Sequence, residues 1–306
     1  AGKGASAVGS GNMVFGNHSL SLGASGGGSA ARMTQALSNN NMNDNAFSIV
    51  GGSNNQSVGN RNLIGSTSSN NTVMGNDIKL GASSASVAKQ DVRFTVDGLT
   101  ETLADYTPTF NNTAAIQNAV AIGQAVKISE SNTVAIGNTA EAAGLNATAL
   151  GAEAKAVGAQ SFAGGQNDKG AQAAGTQAIA LGYESEAKEE HTIAIGSASK
   201  AEQLGAIALG NTAKAAAEDA TALGKNSRAE GKTSTAVGNS ARALDENATA
   251  LGNGAEAAQN AATAVGTGAN ASAGAAAAFG NDAKAQGWAA AAFGQAAQYR
   301  AHALAH

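Results

Sequence analysis

Glycine marks this chain at a fixed interval from residue 123 to residue 294. Successive marker glycines are 14 residues apart, except for one step of 17 residues from Gly165 to Gly182. The three additional residues fall in the polar run 166–170, which is typical of a loop. About 14 residues are too few for a pair of helices but suit two short strands and two turns, so the period predicts a solenoid with one coil per repeat. The marker glycines are Gly123, Gly137, Gly151, Gly165, Gly182, Gly196, Gly210, Gly224, Gly238, Gly252, Gly266, Gly280 and Gly294.

Side chains alternate in size just before each marker glycine. The residue two positions before it is Ala in all 13 coils, and the residue one position before it is large and apolar in 12 of them, Gly164 being the exception. Since alternate side chains of a strand point to opposite faces, this first strand has an Ala face and a larger apolar face. Ala-rich runs such as 213–217 favour a helix by propensity, but glycine at fixed intervals and the period of two argue against one.

A second, shorter strand is predicted after each marker glycine. Its fifth position is Ala in 10 coils, and its fourth position is charged in 11 of 13 coils when Lys169 is counted for the coil with the additional residues. The charged position is expected to face water.

These faces predict a packing in which the Ala faces of the two strands meet and only methyl groups fill the coil. The larger apolar side chains, at positions one and three before the marker, then point outward and form a continuous surface, here called the apolar strip. With coils about 4.8 Å apart, 13 coils give a strip larger than the roughly 300–600 Å² that a soluble monomer tolerates. Identical copies around one axis would cover it. The alternative, with the branched residues inside and Ala outside, also gives a solenoid.

The residues predicted to form this interface between copies are Ile122, Val134, Ile136, Leu150, Leu181, Ile193, Ile195, Leu209, Leu223, Val237, Leu251, Val265, Phe279 and Phe293.

Four segments show the repeat most clearly: Asn132–Asn138, Asn146–Ala152, His191–Ser197 and Asn247–Asn253. They resemble the YadA-like head repeat of trimeric autotransporter adhesins, and the resemblance covers about residues 117–298 in register. It implies an all-β fold, a left-handed parallel β-roll assembled as a homotrimer and displayed on a stalk from a Gram-negative outer membrane. Heads of this family bind host matrix proteins, cells or other bacteria, so the implied partners are the chain itself and a host matrix protein or cell-surface receptor. Autoaggregation and biofilm formation are further implied roles.

The chain is predicted to have four parts: irregular β-roll repeats in 1–81, an insertion in 82–118, regular repeats in 119–298 and a tail in 299–306. The family's neck and coiled-coil stalk are not recognisable in the tail, so the stalk and anchor are expected outside this sequence.

The insertion carries a hairpin signal, because the alternating segment Asp91–Val96 precedes the turn pair Asp97-Gly98. The insertion is either a ligand contact or a brace between neighbouring subunits. The ligand-contact hypothesis names Arg93, Phe94, Asp97, Tyr106 and Phe110.

Several function classes are disfavoured. A net charge of -4 gives no basic stripe for nucleic acid, and a chain without Cys has no thiol chemistry. No apolar run is long enough to insert in a membrane, no phosphate-loop motif occurs, and the four His residues are not expected to converge on a metal. We therefore expect no enzyme activity and no cofactor. Trp288, the single Trp, is expected to cap the end of the solenoid.

Two alternatives remain open at this stage. A phage tail fibre or another extracellular trimeric fibre would share the trimer but not the membrane anchor. An ice-binding solenoid would use the Thr221, Thr235, Thr249 and Thr263 column, although these residues share their face with Leu and Val.

Overall fold

A computed structural model describes residues 6–8, 13–14, 20–22, 49–50, 53–59, 62–81, 84–96, 99–111, 115–165 and 170–300. For the segments before residue 53 and for 84–111, the description covers the backbone alone. Strands are the only regular elements in these ranges, and the chain forms two compact units, Ala1–Asn146 and Ala147–His306.

The first unit contains strands β1 to β14. Their bounds are β1 Ser6–Val8, β2 Met13–Val14, β3 Leu20–Leu22, β4 Ile49–Val50, β5 Gln56–Val58, β6 Leu63–Ile64, β7 Thr72–Asn76, β8 Lys79–Leu80, β9 Ser84–Val96, β10 Leu99–Asn111, β11 Val120–Gln124, β12 Lys127–Ile128, β13 Val134–Ile136 and β14 Glu141–Ala142.

The second unit contains strands β15 to β36. Their bounds are β15 Thr148–Leu150, β16 Lys155–Ala156, β17 Phe162–Gly164, β18 Gln172–Ala173, β19 Ile179–Leu181, β20 Glu186–Ala187, β21 Ile193–Ile195, β22 Lys200–Ala201, β23 Ile207–Leu209, β24 Lys214–Ala215, β25 Thr221–Leu223, β26 Arg228–Ala229, β27 Thr235–Val237, β28 Arg242–Ala243, β29 Thr249–Leu251, β30 Glu256–Ala257, β31 Thr263–Val265, β32 Asn270–Ala271, β33 Ala277–Phe279, β34 Lys284–Ala285, β35 Ala291–Phe293 and β36 Gln298–Tyr299.

Each coil of the second unit contributes one three-residue strand and one two-residue strand. The three-residue strands pair in parallel with the equivalent strand of the next coil from β15 to β35, and the two-residue strands do the same from β16 to β36. Equivalent residues stack in register, as in Thr221, Thr235 and Thr249. The second unit is therefore the predicted parallel β-solenoid.

The core of these coils consists almost entirely of Ala. Within one coil, Ala248 and Ala250 of the first side meet Ala255 and Ala257 of the second, and all four have no exposed surface. This confirms the packing with Ala inside and excludes the alternative with the branched residues inside. Ser or Thr replaces Ala at some core positions. The Ser199 hydroxyl donates to the Gly196 carbonyl at 2.9 Å, whereas the buried hydroxyls of Ser161 and Ser234 have no hydrogen-bond partner.

The coil with the additional residues corrects one detail of the sequence reading. Its second strand is Gln172–Ala173, which pairs with Lys155–Ala156 before it and Glu186–Ala187 after it. Gln172, and not Lys169, therefore holds the outward position of this coil. Lys169 lies outside the described residues.

The irregular N-terminal repeats belong to the same type of ladder. The first strands pair in parallel in the order β1, β3, β5, β7, β11 and β13, and the second strands in the order β2, β4, β6, β8, β12 and β14. Two long segments interrupt this order, one between β3 and β4 and one between β8 and β11. The strands on either side of each segment pair with each other, so the register survives the change in spacing.

The core of the first unit differs from that of the second in the size of its side chains. Ile64, Val73, Ile78 and Leu80 are at most 1 % exposed, where the second unit has Ala. Three asparagines, Asn55, Asn62 and Asn71, are buried with them.

The insertion contains one long antiparallel hairpin. β9 ends at Val96, β10 begins at Leu99, and these two residues pair. Pairing continues to Ser84 and Asn111, which makes the hairpin 13 residues long on each side and much longer than the predicted strands 91–96 and 99–103.

Candidate interaction surface

The apolar strip lies on the outward face of the three-residue strands. In each three-residue strand from β13 to β35 the middle residue is buried and the two flanking residues are half-buried or exposed, as in Ile207–Leu209. Strand alternation produces this pattern, because the side chains on both sides of a buried Ala must point away from the core.

All of the predicted interface residues are half-buried or exposed in the single chain. Ile136, Leu150 and Leu251 are 36–37 % exposed, and Phe293 is 69 % exposed. From β19 to β35 they form an unbroken column, since Leu181, Ile195, Leu209, Leu223 and the residues that follow them are register partners in successive coils. The role of this column as an interface between copies of the chain stays a prediction.

The position of the large side chain within the strip changes at two places. In β17 the large residue is Phe162, three positions before the marker, and Gly164 takes the position of the usual Leu or Ile. In β33 and β35 the arrangement is reversed, because Ala277 and Ala291 precede Phe279 and Phe293. The rings of Phe279 and Phe293 stack with 5.2 Å between centroids.

The opposite face carries the charged column that the sequence predicted. Lys155, Arg228, Arg242 and Lys284 are exposed, and Glu186, Lys200, Lys214 and Glu256 are half-buried, which confirms that this position meets water. Ion pairs connect neighbouring coils: Lys200 to Glu186 at 3.2 Å, Lys214 to Glu202 at 3.4 Å and Arg242 to Glu256 at 3.1 Å.

Two groups of this charged face have shifted pKa values. Partial burial raises the pKa of Glu186, but the hydrogen bond and positive charge of Lys200, together with Lys188, outweigh burial, and the pKa lies below 4.5. The hydrogen bond and charge of Glu218 raise the pKa of Lys232 above 10.5. A shallow groove of about 360 Å³ lies beside Glu186 and is lined by Glu153, Lys155, Glu184 and Lys200 among others. Its mixed charges are those of a solvated ion-pair network.

The hairpin brings the predicted ligand contacts onto one element. Arg93 pairs with Thr102, Phe94 with Glu101 and Tyr106 with Lys89, while Phe110 pairs with Ala85 near the open end. Asp97 lies outside the described residues.

Trp288 does not cap the core as predicted. It is 80 % exposed in the single chain and lies against Gly274, where a Cβ would be 3.3 Å from Trp288 Cδ1. Its position in a turn, three residues before β35, directs the ring to the surface.

Sequence reasoning missed the hydrogen-bonded asparagines of the first unit. Asn71 donates through Nδ2 to Asn55 Oδ1 at 3.0 Å and to the Ile116 carbonyl at 2.9 Å, and its Oδ1 accepts from the Ala119 amide at 2.9 Å. The only available signal was the pairing of Asn-Asn dipeptides at 54–55 and 70–71.

One kind of site, a cluster of metal-binding side chains, is absent from the described ranges. They contain no group of three or more His, Asp or Glu side chains placed to hold a metal ion. No helix of the described part of the chain has the length and apolar character to cross a membrane. The described surface thus offers one extended apolar strip, one ion-paired face and one long hairpin, which define a β-solenoid with surfaces suited to protein contacts.

A comparison with protein families matches part of this solenoid to a known repeat. The model of the YadA head domain repeat (2 copies) matches residues 129–154, 142–167, 173–199, 187–213, 201–227 and 229–255. The matched segments alternate first and second strands as described above, so the chain contains a YadA-like head domain. No curated protein matches the chain.

Proposed function

We propose that this chain is the head of a trimeric cell-surface adhesin, which binds other surfaces through protein contacts and catalyses no reaction. Three copies pack along their apolar strips, and the assembled head contacts a host matrix protein or a cell-surface receptor. Segments outside this sequence would hold it on the bacterial outer membrane. The observation that carries the proposal is the column of partly exposed aliphatic side chains from Leu181 to Val265 in a YadA-like head domain.

The size of the strip favours a permanent partner. The first strands of the second unit form 11 successive rungs, and at about 4.8 Å per rung the strip of this unit is about 50 Å long. Each rung carries two outward side chains about 7 Å apart. A surface of this length with Ile, Leu, Val and Phe at its centre resembles an oligomer interface more than a solvated face.

Solution mass tests the assembly. Light scattering after size exclusion should give about three times the 29.6 kDa of one chain. The double variant Leu209→Asp with Leu223→Asp places two charges in the strip and should give monomer, because uncompensated charges are not tolerated in an apolar interface. The control, Thr212→Asp with Asn226→Asp, adds the same charges at exposed turn positions, where Asp282 already occupies an equivalent site. A monomeric parent chain would overturn the trimer.

Binding assays test the adhesin function and the role of the hairpin separately. Gln90 pairs with Asp105, so replacing 90–105 by Asn-Gly closes the remaining strands 84–89 and 106–111 with a two-residue turn. If the hairpin is the contact, the shortened trimer keeps its mass and loses binding to immobilised collagen, fibronectin or laminin. Binding that persists would place the contact on the coils, and a parent trimer that binds neither these proteins nor cells would contradict the adhesin function.

Ice binding is the second candidate, favoured by one observation. Thr221, Thr235, Thr249 and Thr263 are register partners, so their hydroxyls form a regular column on a flat sheet. In the trimer this column is covered or lies beside the interface. Thermal hysteresis by the monomeric variant and not by the parent chain would support ice binding by this face, and hysteresis by neither would eliminate it.

A further inference from the structure

The long hairpin forms a sheet of its own. β9 and β10 pair with each other over 13 residues, and no other strand in the described ranges pairs with either of them. Both outer edges of this sheet therefore keep backbone N–H and C=O groups without a strand neighbour. A sheet of two strands is only marginally stable in water, and further strands stabilise it. An open edge of this length is also a template on which another strand can pair.

Neither face of the hairpin collects its apolar residues. Those of the half near residues 97–98 share one face, and those of the half near the coils share the other. The first set is Val92, Phe94, Val96, Leu99 and Leu103, and the second is Ala85, Val87, Tyr106, Pro108 and Phe110. The predicted ligand contacts are divided in the same way. The feature that runs the full length of the hairpin is thus its edge.

The two outer edges differ because of Pro108. Two residues of sequence separate the paired Val96 and Leu99, and the closing pair of so tight a hairpin exchanges its backbone hydrogen bonds. Alternate pairs do the same, and the pairs between them present their N–H and C=O groups at the outer edges. Pro108, paired with Val87, holds one of these outward positions, so its missing N–H interrupts the edge of β10. The edge of β9 is uninterrupted, with outward positions at Ala85, Val87, Lys89, Asp91, Arg93 and Thr95.

The outward positions of β9 are complementary in charge to themselves. Gln90 is the midpoint of β9, so two antiparallel copies paired over their full length have Gln90 opposite Gln90. This register places Lys89 of each copy opposite Asp91 of the other, and opposite charges at such positions stabilise a sheet. Centring the pairing on Lys89 or Asp91 places like charges opposite each other, and centring it on Val92 leaves the first four residues of β9 unpaired.

We propose that the outer edge of β9 is a self-association site, to which β9 of a second copy adds as an antiparallel strand centred on Gln90. The product is a four-stranded sheet in the order β10, β9, β9, β10. The inference extends the proposed adhesin function, because it makes a second copy one of the bound surfaces, but it does not depend on the apolar strip. A ring of three equal copies has no two-fold axis that relates two of them, so this two-fold contact joins separate assemblies.

Disulfide cross-linking tests the edge, because the chain has no Cys. Opposed Gln90 residues form a pair with Cα atoms about 4.5 Å apart, which suits a disulfide. Asp105→Cys is the matched control, because Asp105 is the register partner of Gln90 and would lie three strand spacings, about 14 Å, from Asp105 of the second copy. Oxidation should link Gln90→Cys chains at least about tenfold more than Asp105→Cys chains. Equal yields, or no linked chains, would overturn the inference.

The native mass of the oxidised Gln90→Cys protein separates this contact from the proposed trimer. Linked trimers contain six or more chains, whereas links confined to assemblies of three chains would overturn the inference. A monomeric parent that gives linked dimers would refute the trimer and leave the self-association site intact. The two failures are therefore distinguishable.

Charge exchange tests the register. In the Gln90→Cys background, Lys89→Glu and Asp91→Lys each place like charges opposite each other twice, and either should lower the yield of linked chains at least about fourfold. An equal mixture of the two variants should restore the yield, because each carries the charges that the other requires. Restoration also shows that both variants keep the hairpin. Yields that do not respond to these charges would overturn the register centred on Gln90.

Proline distinguishes the two edges. Val87→Pro removes an outward N–H of β9 opposite Pro108, where the hairpin already accepts proline on the other strand. Since each contact then lacks two backbone hydrogen bonds, the yield of linked Gln90→Cys chains should fall at least about fivefold. Thr102→Pro removes an outward N–H of β10 and should leave the yield unchanged. An equal fall in both variants would overturn the assignment to β9.

Discussion

Gly252 and Gly266 lie so close in successive coils that a Cβ on Gly252 would be 2.3 Å from the carbonyl oxygen of Gly266. Gly252 also has a φ of 138°, which side chains of L-residues rarely adopt. The 14-residue period of glycine is therefore a steric requirement of stacking one coil on the next.

Gly252→Ala should destabilise the second unit by more than about 2 kcal/mol, because backbone strain and a clash with a neighbouring coil act together. Gly254→Ala is the matched control. Its φ of 65° is close to that of Ala198 at the equivalent position, and no atom lies within 4 Å of the added Cβ. The control should cost about 1 kcal/mol or less. Urea unfolding followed by circular dichroism measures both, and equal losses would contradict the steric account.

The Ala core yields a second prediction, in which the same substitution is compared at adjacent residues. Ala278 is fully buried, whereas Ala277 is half-buried on the outward face. Ala278→Val should cost about 1–3 kcal/mol, since a close-packed interior has no room for two further methyl groups. Ala277→Val should change the free energy of unfolding by about 0.5 kcal/mol or less, because Thr263, a β-branched residue, is its register partner. Thermal unfolding midpoints report the difference, and a stable Ala278→Val protein would show that the core can expand.

Much of the second unit could be predicted from the sequence because period and packing coincide there. Ala at fixed positions identifies the core, and the charged residues that alternate with Ala identify the solvent-exposed face. The three additional residues, which fall in the run 166–170, shifted the assignment by three, since counting from Gly165 gives Lys169 whereas the ladder pairs Gln172 with Lys155. Exposure of Trp288 was also missed, because aromatic character alone does not say whether a turn directs the ring inward or outward.

The first unit was less predictable for a physical reason. Its coils keep their register through hydrogen bonds that join residues far apart in sequence, such as Asn71 Nδ2 to the Ile116 carbonyl across the hairpin. No period signals such a contact. The triplets around Gly65 and Gly75 look alike in sequence, yet Leu63–Ile64 belongs to the second ladder and Thr72–Asn76 to the first.

Asn71 should be essential to the coil that follows the hairpin. Asn71→Leu leaves the buried Ala119 amide without its partner, at about 1–3 kcal/mol for an unpaired group. It also removes one of two donors to the Ile116 carbonyl, which keeps the Ser69 amide at 3.0 Å. Asn54→Ala is the control, because its side chain bonds Asn70 in an exposed turn, and Ala261 has the same positive φ at the equivalent turn position of a later coil. Amide hydrogen exchange should show faster exchange at Ala119 in Asn71→Leu and no change in the control. Retained protection at Ala119 would mean that water or a shifted coil replaces Asn71.

Stability in mild acid should depend on Glu186. Its pKa is lower in the folded chain than the ordinary 4.5, so its ionised form stabilises the fold above about that pH, and this contribution is lost as the pH falls through the folded-state value. Glu186→Gln should therefore lower the free energy of unfolding at pH 7, by up to about 1 kcal/mol for a partly solvated ion pair. The difference from the parent should vanish once the pH is well below the pKa of folded Glu186.

Lys200→Met separates the contributions of Lys200 and Lys188 to the pKa of Glu186. It removes the hydrogen bond and the positive charge of Lys200 but leaves Lys188 Nζ at 3.4 Å from the Glu186 carboxylate. The pKa of Glu186 should then rise, which carbon-detected NMR titration of its carboxyl group can follow. In Glu186→Gln, the additional Lys200→Met change should cost less than it does in the parent, since the coupled partner is already absent. Additive losses in the double variant, with an unmoved Glu186 titration, would show that the Glu186–Lys200 pair has no coupling free energy.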